Sequence, residues 1–174
     1  MYHQDHVNLI KKGILASGIW ADLGSGRGAF TLALADCLGT DSHIYSVDID
    51  RRDLKHQETK MNAEFPNHQV TYRVGDFTHQ LELPPLDGII MANSLHFVRE
   101  KLPVVTMIRE YLKPDGRLIM VEYDTAQGNT AVPYPMTFTM WSSLATEAGF
   151  SKTDLLATRS SRFLGSFFSA LSFA

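Results

Sequence analysis

A single cysteine in 174 residues, Cys37, leaves no partner for an intrachain disulfide and no thiolate set for a metal cluster. No window approaches the roughly 20 apolar residues that a membrane span requires. The start, MYHQDHVNLIKKGILASG, has no positive stretch ahead of an apolar one, so it does not read as a signal peptide. Basic residues never gather into a run. With 16 of them against 19 acidic ones, the formal charge is −3 and the pI about 6.1. The electrostatic footprint of a phosphate-backbone binder is missing. Internal repeats, low-complexity tracts and linker-like stretches are missing too. These absences predict a cytoplasmic chain with no metal site and with neither nucleic acid nor membrane among its partners.

What is present is an ordinary globular composition, 44% hydrophobic and 20% charged. That suits one compact domain over residues 1–174, with 1–18 as an N-terminal helical cap segment. Short apolar runs alternate with segments of helical period. Ile19–Leu23 is predicted to be a strand that runs into glycine-rich GSGRG. Residues 28–38 then read as a helix, with Phe30, Leu34 and Leu38 four apart. A second strand is expected at 43–47, a polar helix at about 51–65 ended by Pro66, and a third strand at Gln69–Val74. LDGIIMA, Leu86–Ala92, has the unbroken apolar character of a strand covered on both faces.

Pro103 marks the expected start of the next helix, which would place Val104, Ile108 and Leu112 on one face. KPDG at 113–116 reads as a turn, followed by a buried strand at 117–122. After a helix at 137–148, strands at 152–158 and 166–172 follow with no helix between them, which predicts an antiparallel hairpin. Strands alternating with helices otherwise predict an α/β, doubly wound sheet.

The chemistry concentrates in strand ends. Asp22-Leu23-Gly24-Ser25-Gly26-Arg27-Gly28 closes the first strand, and its glycines allow a tight turn and close approach of a ligand to the backbone. A dinucleotide fingerprint needs G-x-G-x-x-G, whereas this loop is G-x-G-x-G with Ala29 next. Asp22 would stand where an anionic pyrophosphate lies, and so suits a cationic ligand better. Asp48 ends the second strand and can accept from two ribose hydroxyls. Asp50 competes but falls in the following turn. Asp76, in Gly75-Asp76-Phe77 after the third strand, can accept from an exocyclic amine beside the Phe77 ring. Any one of these acids would pass for a solvated strand-end carboxylate; three ending three successive strands form a set.

These segments resemble, in order, the motifs of the class I S-adenosylmethionine-dependent methyltransferases, within them the broad small-molecule group. DLGSGRG is similar to the first motif, VDID to the ribose-binding segment and VGDF to the adenine-binding one. LDGIIMANSLHFV and LKPDGRLIMVEY are similar to the fourth- and fifth-strand segments, and GSFFSALSFA to the seventh strand. The resemblance implies a Rossmann-like, seven-stranded, mostly parallel sheet of order 3-2-1-4-5-7-6 with strand 7 antiparallel. It implies S-adenosyl-L-methionine as cofactor and S-adenosyl-L-homocysteine as product. It assigns Gly24, Ser25 and Gly26 to the methionine portion, with Asp22, Leu23 and Gly28 of the same loop beside them. Asp48 and Ile49 go to ribose and adenine, Gly75, Asp76 and Phe77 to the adenine edge, and Asn93 to the methionine end.

Methyl transfer from a sulfonium needs alignment above all, and a base only where the acceptor must lose a proton. His96, just past the fourth strand, is the candidate general base, although between Leu95 and Phe97 it also reads as a packing residue. Tyr123 either orients a substrate or packs. The chain has Asn93-Ser94-Leu95-His96 in place of the Asn/Asp-Pro-Pro-aromatic segment of amino-directed nucleic-acid methyltransferases, which points to a small-molecule acceptor at O, N or C. A short N-terminal segment implies a small cap, completed by a second subunit in a homodimer or by ordering of residues 1–12 on binding. Two other readings compete: a catalytically inactive S-adenosylmethionine-binding module or partner subunit, and an NAD-type oxidoreductase, which the glycine spacing disfavours.

Overall fold

Period-2 and period-3.6 apolar patterns alternate along the chain, and each pattern buries its own face. The computed structural model describes residues 1–174. Helix α1 (His3–Ile10) and a 3₁₀ turn (Lys11–Gly13) lead into β1 (Ile19–Leu23), α2 (Ala29–Cys37), β2 (His43–Asp48), α3 (Arg51–Glu64) and β3 (Gln69–Val74). Then come β4 (Leu86–Ala92), a 3₁₀ turn (Leu95–Phe97), α4 (Lys101–Arg109), β5 (Leu112–Tyr123), α5 (Phe138–Glu147), β6 (Lys152–Ser161) and β7 (Gly165–Phe173). No helix is long and apolar enough to cross a membrane.

The seven strands form one sheet in the order β3-β2-β1-β4-β5-β7-β6. The first five pair in parallel, and β7 runs antiparallel to both β5 and β6. This is the order and polarity that the resemblance implied. Alternate residues of the central strands enter opposite cores. Ala21, Leu23, Ile89, Met91, Leu118 and Met120 pack with Trp141 of α5 and Ile108 of α4. Trp20, Ile90, Ile119 and Val121 pack with α1, α2 and α3 through Ile10, Leu34 and Met61. Strands covered on both sides need apolar residues at every position, hence the unbroken run in β4. Winding reverses between β1 and β4, and the crevice outside their carboxyl ends is where ligands of such sheets bind.

Three local expectations change. Helix α4 starts at Lys101, two residues ahead of the expected point. Pro103 still lies in the first turn, where backbone N–H groups lack intrahelical acceptors, so nothing forces the helix to begin there. Leu112 belongs to β5, not to the helix. The 113–116 turn is absorbed within β5 by a register shift: Leu86 pairs with Leu112, but Gly88 pairs with Arg117. Lys113 in this bulge contacts both carboxylate oxygens of Asp87 at 2.8 Å, and Asp87 accepts from the Ile19 N–H at 2.8 Å. One acid thus ties β1, β4 and β5 together at their starts.

Residues 1–12 pack onto the sheet as part of the domain. Val7, Leu9 and Ile10 are buried, Ile10 completely, and Asp5 pairs with Arg159 of β6. Truncating Ile10 should therefore destabilise the ligand-free protein. Ile10→Ala is expected to lose about 2–5 kcal/mol in urea denaturation; a loss seen only with ligand present would mean that the segment orders on binding.

Candidate active site

The loop after β1 is built from left-handed backbone. Gly24, Gly26 and Gly28 have φ of 76°, 51° and 82°. A Cβ on Gly24 would lie 2.5 Å from Ser94 Cβ, and one on Gly28 2.3 Å from Gln57 Cγ, so both positions exclude any side chain. Nothing stands within 4 Å of a Cβ built on Gly26, which leaves that part of the loop open. Asp48 secures it: one carboxylate oxygen accepts from the Gly26 N–H at 2.8 Å and the other from the Asp50 N–H at 2.9 Å.

Beneath the loop lies a closed ring of hydrogen bonds. Gln57 Nε2 donates to Ser46 Oγ (2.9 Å), Ser46 Oγ to Ser25 Oγ (2.7 Å), and Ser25 Oγ to Gln57 Oε1 (3.3 Å). Ser46 and Gln57 are fully buried. Asp22 is also buried, 1% exposed, and accepts from Thr31 Oγ1 at 2.6 Å. Burial pushes its carboxyl up to about 7; Thr31 opposes that shift and the Asp48 charge adds to it. Leu23 is wholly buried. Asp22, Leu23, Ser25 and Gly28 thus form the underside of the loop and do not line the cleft above it.

That cleft, about 450 Å³, is lined by Gly24, Gly26, Asp48, Ile49, Asp76, Phe77 and Asn93. Gly75 sits at the end of β3, where its N–H donates to the Asp48 carbonyl at 3.0 Å. Thr78, Ser94, Phe97 and Val98 complete the wall. Sequence reasoning passed over these four, although three of them flank His96 in the segment after β4. Ile49 and Phe97 are 70% and 62% exposed, large apolar groups left uncovered on the cleft wall. Asp76 accepts from the Thr78 hydroxyl (2.7 Å) and backbone N–H (2.9 Å), and these bonds hold its carboxyl below the usual range.

Asn93 is the one non-glycine residue with positive φ, 54°. Its Oδ1 is buried and has no hydrogen-bond partner. It lines both this cleft and a second, larger cavity of about 820 Å³. Beside it, His96 is 3% exposed and lines neither space. Its backbone N–H donates to Glu122 Oε1 (3.1 Å), and its Nδ1 lies 2.8 Å from Glu122 Oε2. An ionised carboxylate only accepts, so the Nδ1 that faces it carries a proton. Glu122 is wholly buried at the end of β5. It was not among the residues singled out from the sequence, because an acid ending a strand reads as solvated. Only the pairing of β4 with β5 brings it to the histidine.

A family model described as methyltransferase domain matches residues 19–154. The chain belongs to this methyltransferase family. A curated relative, the highly reducing polyketide synthase PKS2 of Leptosphaeria maculans, is 26% identical over 160 residues, 76% of this chain. The chain spans only 6% of that relative's length. Among solved structures, the CurJ carbon methyltransferase matches 91% of this chain and 48% of its own at 18% identity, with a TM-score of 0.76. The 1,6-didemethyltoxoflavin-N1-methyltransferase of Burkholderia thailandensis, solved with S-adenosylhomocysteine, matches 98% and 77% at 15% identity, also with a TM-score of 0.76. At such identities the likeness is one of fold.

The chain is thus an S-adenosyl-L-methionine-dependent methyltransferase domain. The cleft suits that cofactor. It offers an open stretch of backbone at Gly26, an orphaned Asn93 oxygen for an ammonium, and an acid flanked by uncovered apolar side chains for a nucleoside.

The buried acid under the methyltransferase loop carries a pH signature. The unfolded carboxyl titrates near 3.8 and the folded one near 7, so the folded state binds more protons between those values. Its contribution is therefore fully present below the lower value and is lost as pH rises through the upper one. Asp22→Asn, which keeps an acceptor for Thr31, should show a smaller fall in stability than the parent from pH 4 to 8 in urea denaturation. Parallel curves would place the proton elsewhere.

Proposed function

We propose that this domain methylates a small-molecule acceptor at a carbon or oxygen that must give up a proton, with His96 as the base and Glu122 holding it. The observation that carries this reading is the 2.8 Å contact between His96 Nδ1 and a fully buried carboxylate. In the neutral imidazole the pair fixes the tautomer that leaves Nε2 able to take a proton.

The reading takes residues 1–174 as one methyltransferase domain, with 1–18 as its cap. Asp48 would accept from the ribose hydroxyls while keeping the Gly26 N–H, since a carboxylate has about four acceptor sites. Ile49 and Phe77 would flank the adenine, and Asn93 Oδ1 would take the methionine ammonium. Bound S-adenosylmethionine supplies an electrophilic methyl group on a sulfonium that departs as a neutral thioether. For His96 Nε2 to remove the acceptor proton as the acceptor atom bonds to the methyl carbon, the acceptor must reach between the Phe97 and Tyr123 rings that flank the imidazole, since His96 itself lines neither cavity. Phe97 and Val98 would give that encounter an apolar wall.

An amine needs no base once its lone pair is free, whereas a carbon acid or a hydroxyl does. A carbon acceptor is kept beside oxygen because the curated relative is a polyketide synthase.

Calorimetry with S-adenosylmethionine, S-adenosylhomocysteine and NAD is expected to show micromolar binding of the first two alone; binding of NAD alone would overturn the cofactor. Asp48→Ala should weaken that binding by more than about 1.5 kcal/mol, the scale of a lost charge-assisted hydrogen bond. For turnover, a β-ketoacyl thioester, a phenol and a primary amine are offered as acceptors. His96→Ala should reduce methylation of the thioester or the phenol by about 10²–10⁴-fold and leave S-adenosylhomocysteine affinity unchanged. Methylation of the amine alone, indifferent to His96, would remove the base from the mechanism.

A further inference from the structure

The larger cavity differs from the cofactor cleft in its charge. The chain as a whole carries −3, yet this cavity of about 820 Å³ is lined by two arginines, Arg159 and Arg162, against one acid, Asp5. Arg159 is committed to Asp5. Arg162 makes no ion pair or hydrogen bond within the chain. It opens the three-residue turn that joins β6 to β7, where Ser161 pairs with Gly165 across the hairpin.

Beside Arg162 on that turn is Phe163, 58% exposed although aromatic. Its ring lies 6.0 Å from that of Tyr123, which in turn lies 4.2 Å from the ring of Phe167. All three rings line the cavity. The Tyr123 ring is 6.3 Å from that of His96, and Asn93 forms part of the wall on both sides of the junction with the cofactor cleft.

We propose that this cavity is the acceptor site, resting on the methyl-transfer reading for its role, and that it selects a flat apolar molecule bearing an anionic group. Tyr123, Phe163 and Phe167 hold the body, and Arg162 binds the anion at the rim. The volume lies in the range that encloses a drug-sized ligand. Aromatic walls favour a planar body, and a guanidinium suits a carboxylate or a phosphate through paired N–H donors. The two cavities meet at Asn93, so a body lying on Tyr123 is one ring away from the base. Asp5 limits the anion to one guanidinium by occupying the other.

The test uses 2-naphthoate, 2-naphthyl phosphate and neutral 2-naphthamide, titrated calorimetrically with and without saturating S-adenosylhomocysteine. At least one anion should bind about fivefold or more tighter than the amide, the modest factor expected of a solvent-screened contact. Arg162→Ala should erase that preference without changing S-adenosylhomocysteine affinity, and Asp5→Asn, which frees Arg159, should raise anion affinity. The stronger of the two anions then identifies the charged group. Equal binding of the amide, no binding of either anion, or a preference that survives Arg162→Ala would overturn the proposal. An anion preference in a protein that fails to bind S-adenosylhomocysteine would keep this site and remove the methyl-transfer reading instead.

Discussion

The hydrogen bond from the Gly26 N–H to the Asp48 carboxylate, beside those from the Gly24 and Ser25 N–H groups to the Val47 carbonyl, joins the turn after β1 to the end of β2, and the cofactor cleft depends on it. The loop holds three left-handed glycines in five residues. Each glycine loses more backbone freedom on folding than any other residue would. One short-range bond, from the Gly28 N–H to the Ser25 carbonyl at 2.9 Å, shapes the turn, and long-range partners must do the rest. Asp48 supplies one from above. From below, Gln57, Ser46 and Ser25 close a ring in which the buried side chains bond to one another, the condition under which a buried polar group stabilises a structure. Gln57 also fills the space that a side chain at Gly28 would need, so α3 braces a loop whose ligand it never meets.

The second arrangement on this edge of the sheet is electrostatic. Glu122 is wholly buried, and a carboxylate in that position needs partners that replace water. Two come from His96, one from the backbone and one from the ring, which also fixes the 3₁₀ turn after β4 against the end of β5. A third influence is Lys101. Burial lowers its ammonium pKa, while the Glu122 charge acts to keep the proton on. Tyr123 responds in the opposite sense to the same environment: burial and then the Glu122 charge hold its phenol above the usual range, so at neutral pH it is an uncharged wall. The Glu122 charge thus acts on Lys101 and Tyr123 alike, while His96 alone of the three is hydrogen-bonded to it.

Period and punctuation made much of the fold legible, because strands and helices differ most in the spacing of their apolar residues. The limits of β1, β3 and β4 agree with the apolar runs bounded by turn residues. The two close strands at the end do form an antiparallel hairpin. Order across the sheet was legible through the motifs, not through local propensity. What resisted was whatever depends on a neighbour far away in sequence. Asp22 reads as a ligand-facing acid until Thr31 takes its carboxylate inside the fold. Glu122 reads as a solvated strand end until β4 and β5 pair. Phe97 carries no signal of its own in the sequence, and only the 3₁₀ turn leaves it on the cleft wall. The KPDG turn was recognised as such, but a bulge can hold a turn within a strand, and sequence alone does not say which occurs.

Asn93 shows why this edge needs a particular residue and not merely a turn. Left-handed backbone destabilises most non-glycine residues by about 1–2 kcal/mol, and asparagine tolerates it better than most. The turn has consequences on either side. After it, the Ser94 hydroxyl reaches the Leu23 carbonyl at 3.0 Å, and the His96 N–H reaches Glu122. Glycine would satisfy the backbone with less strain, but it would carry no oxygen where the two cavities meet. Aspartate would carry one, but would add a charge to a position whose Oδ1 is buried and unpartnered. Only a residue that bears left-handed φ, is neutral, and presents an acceptor meets all three requirements. The strain at Asn93 is therefore coupled to both cavities: it turns the chain so that His96 and the glycine loop are held by neighbouring residues, and it leaves one polar atom for whatever occupies the space between them.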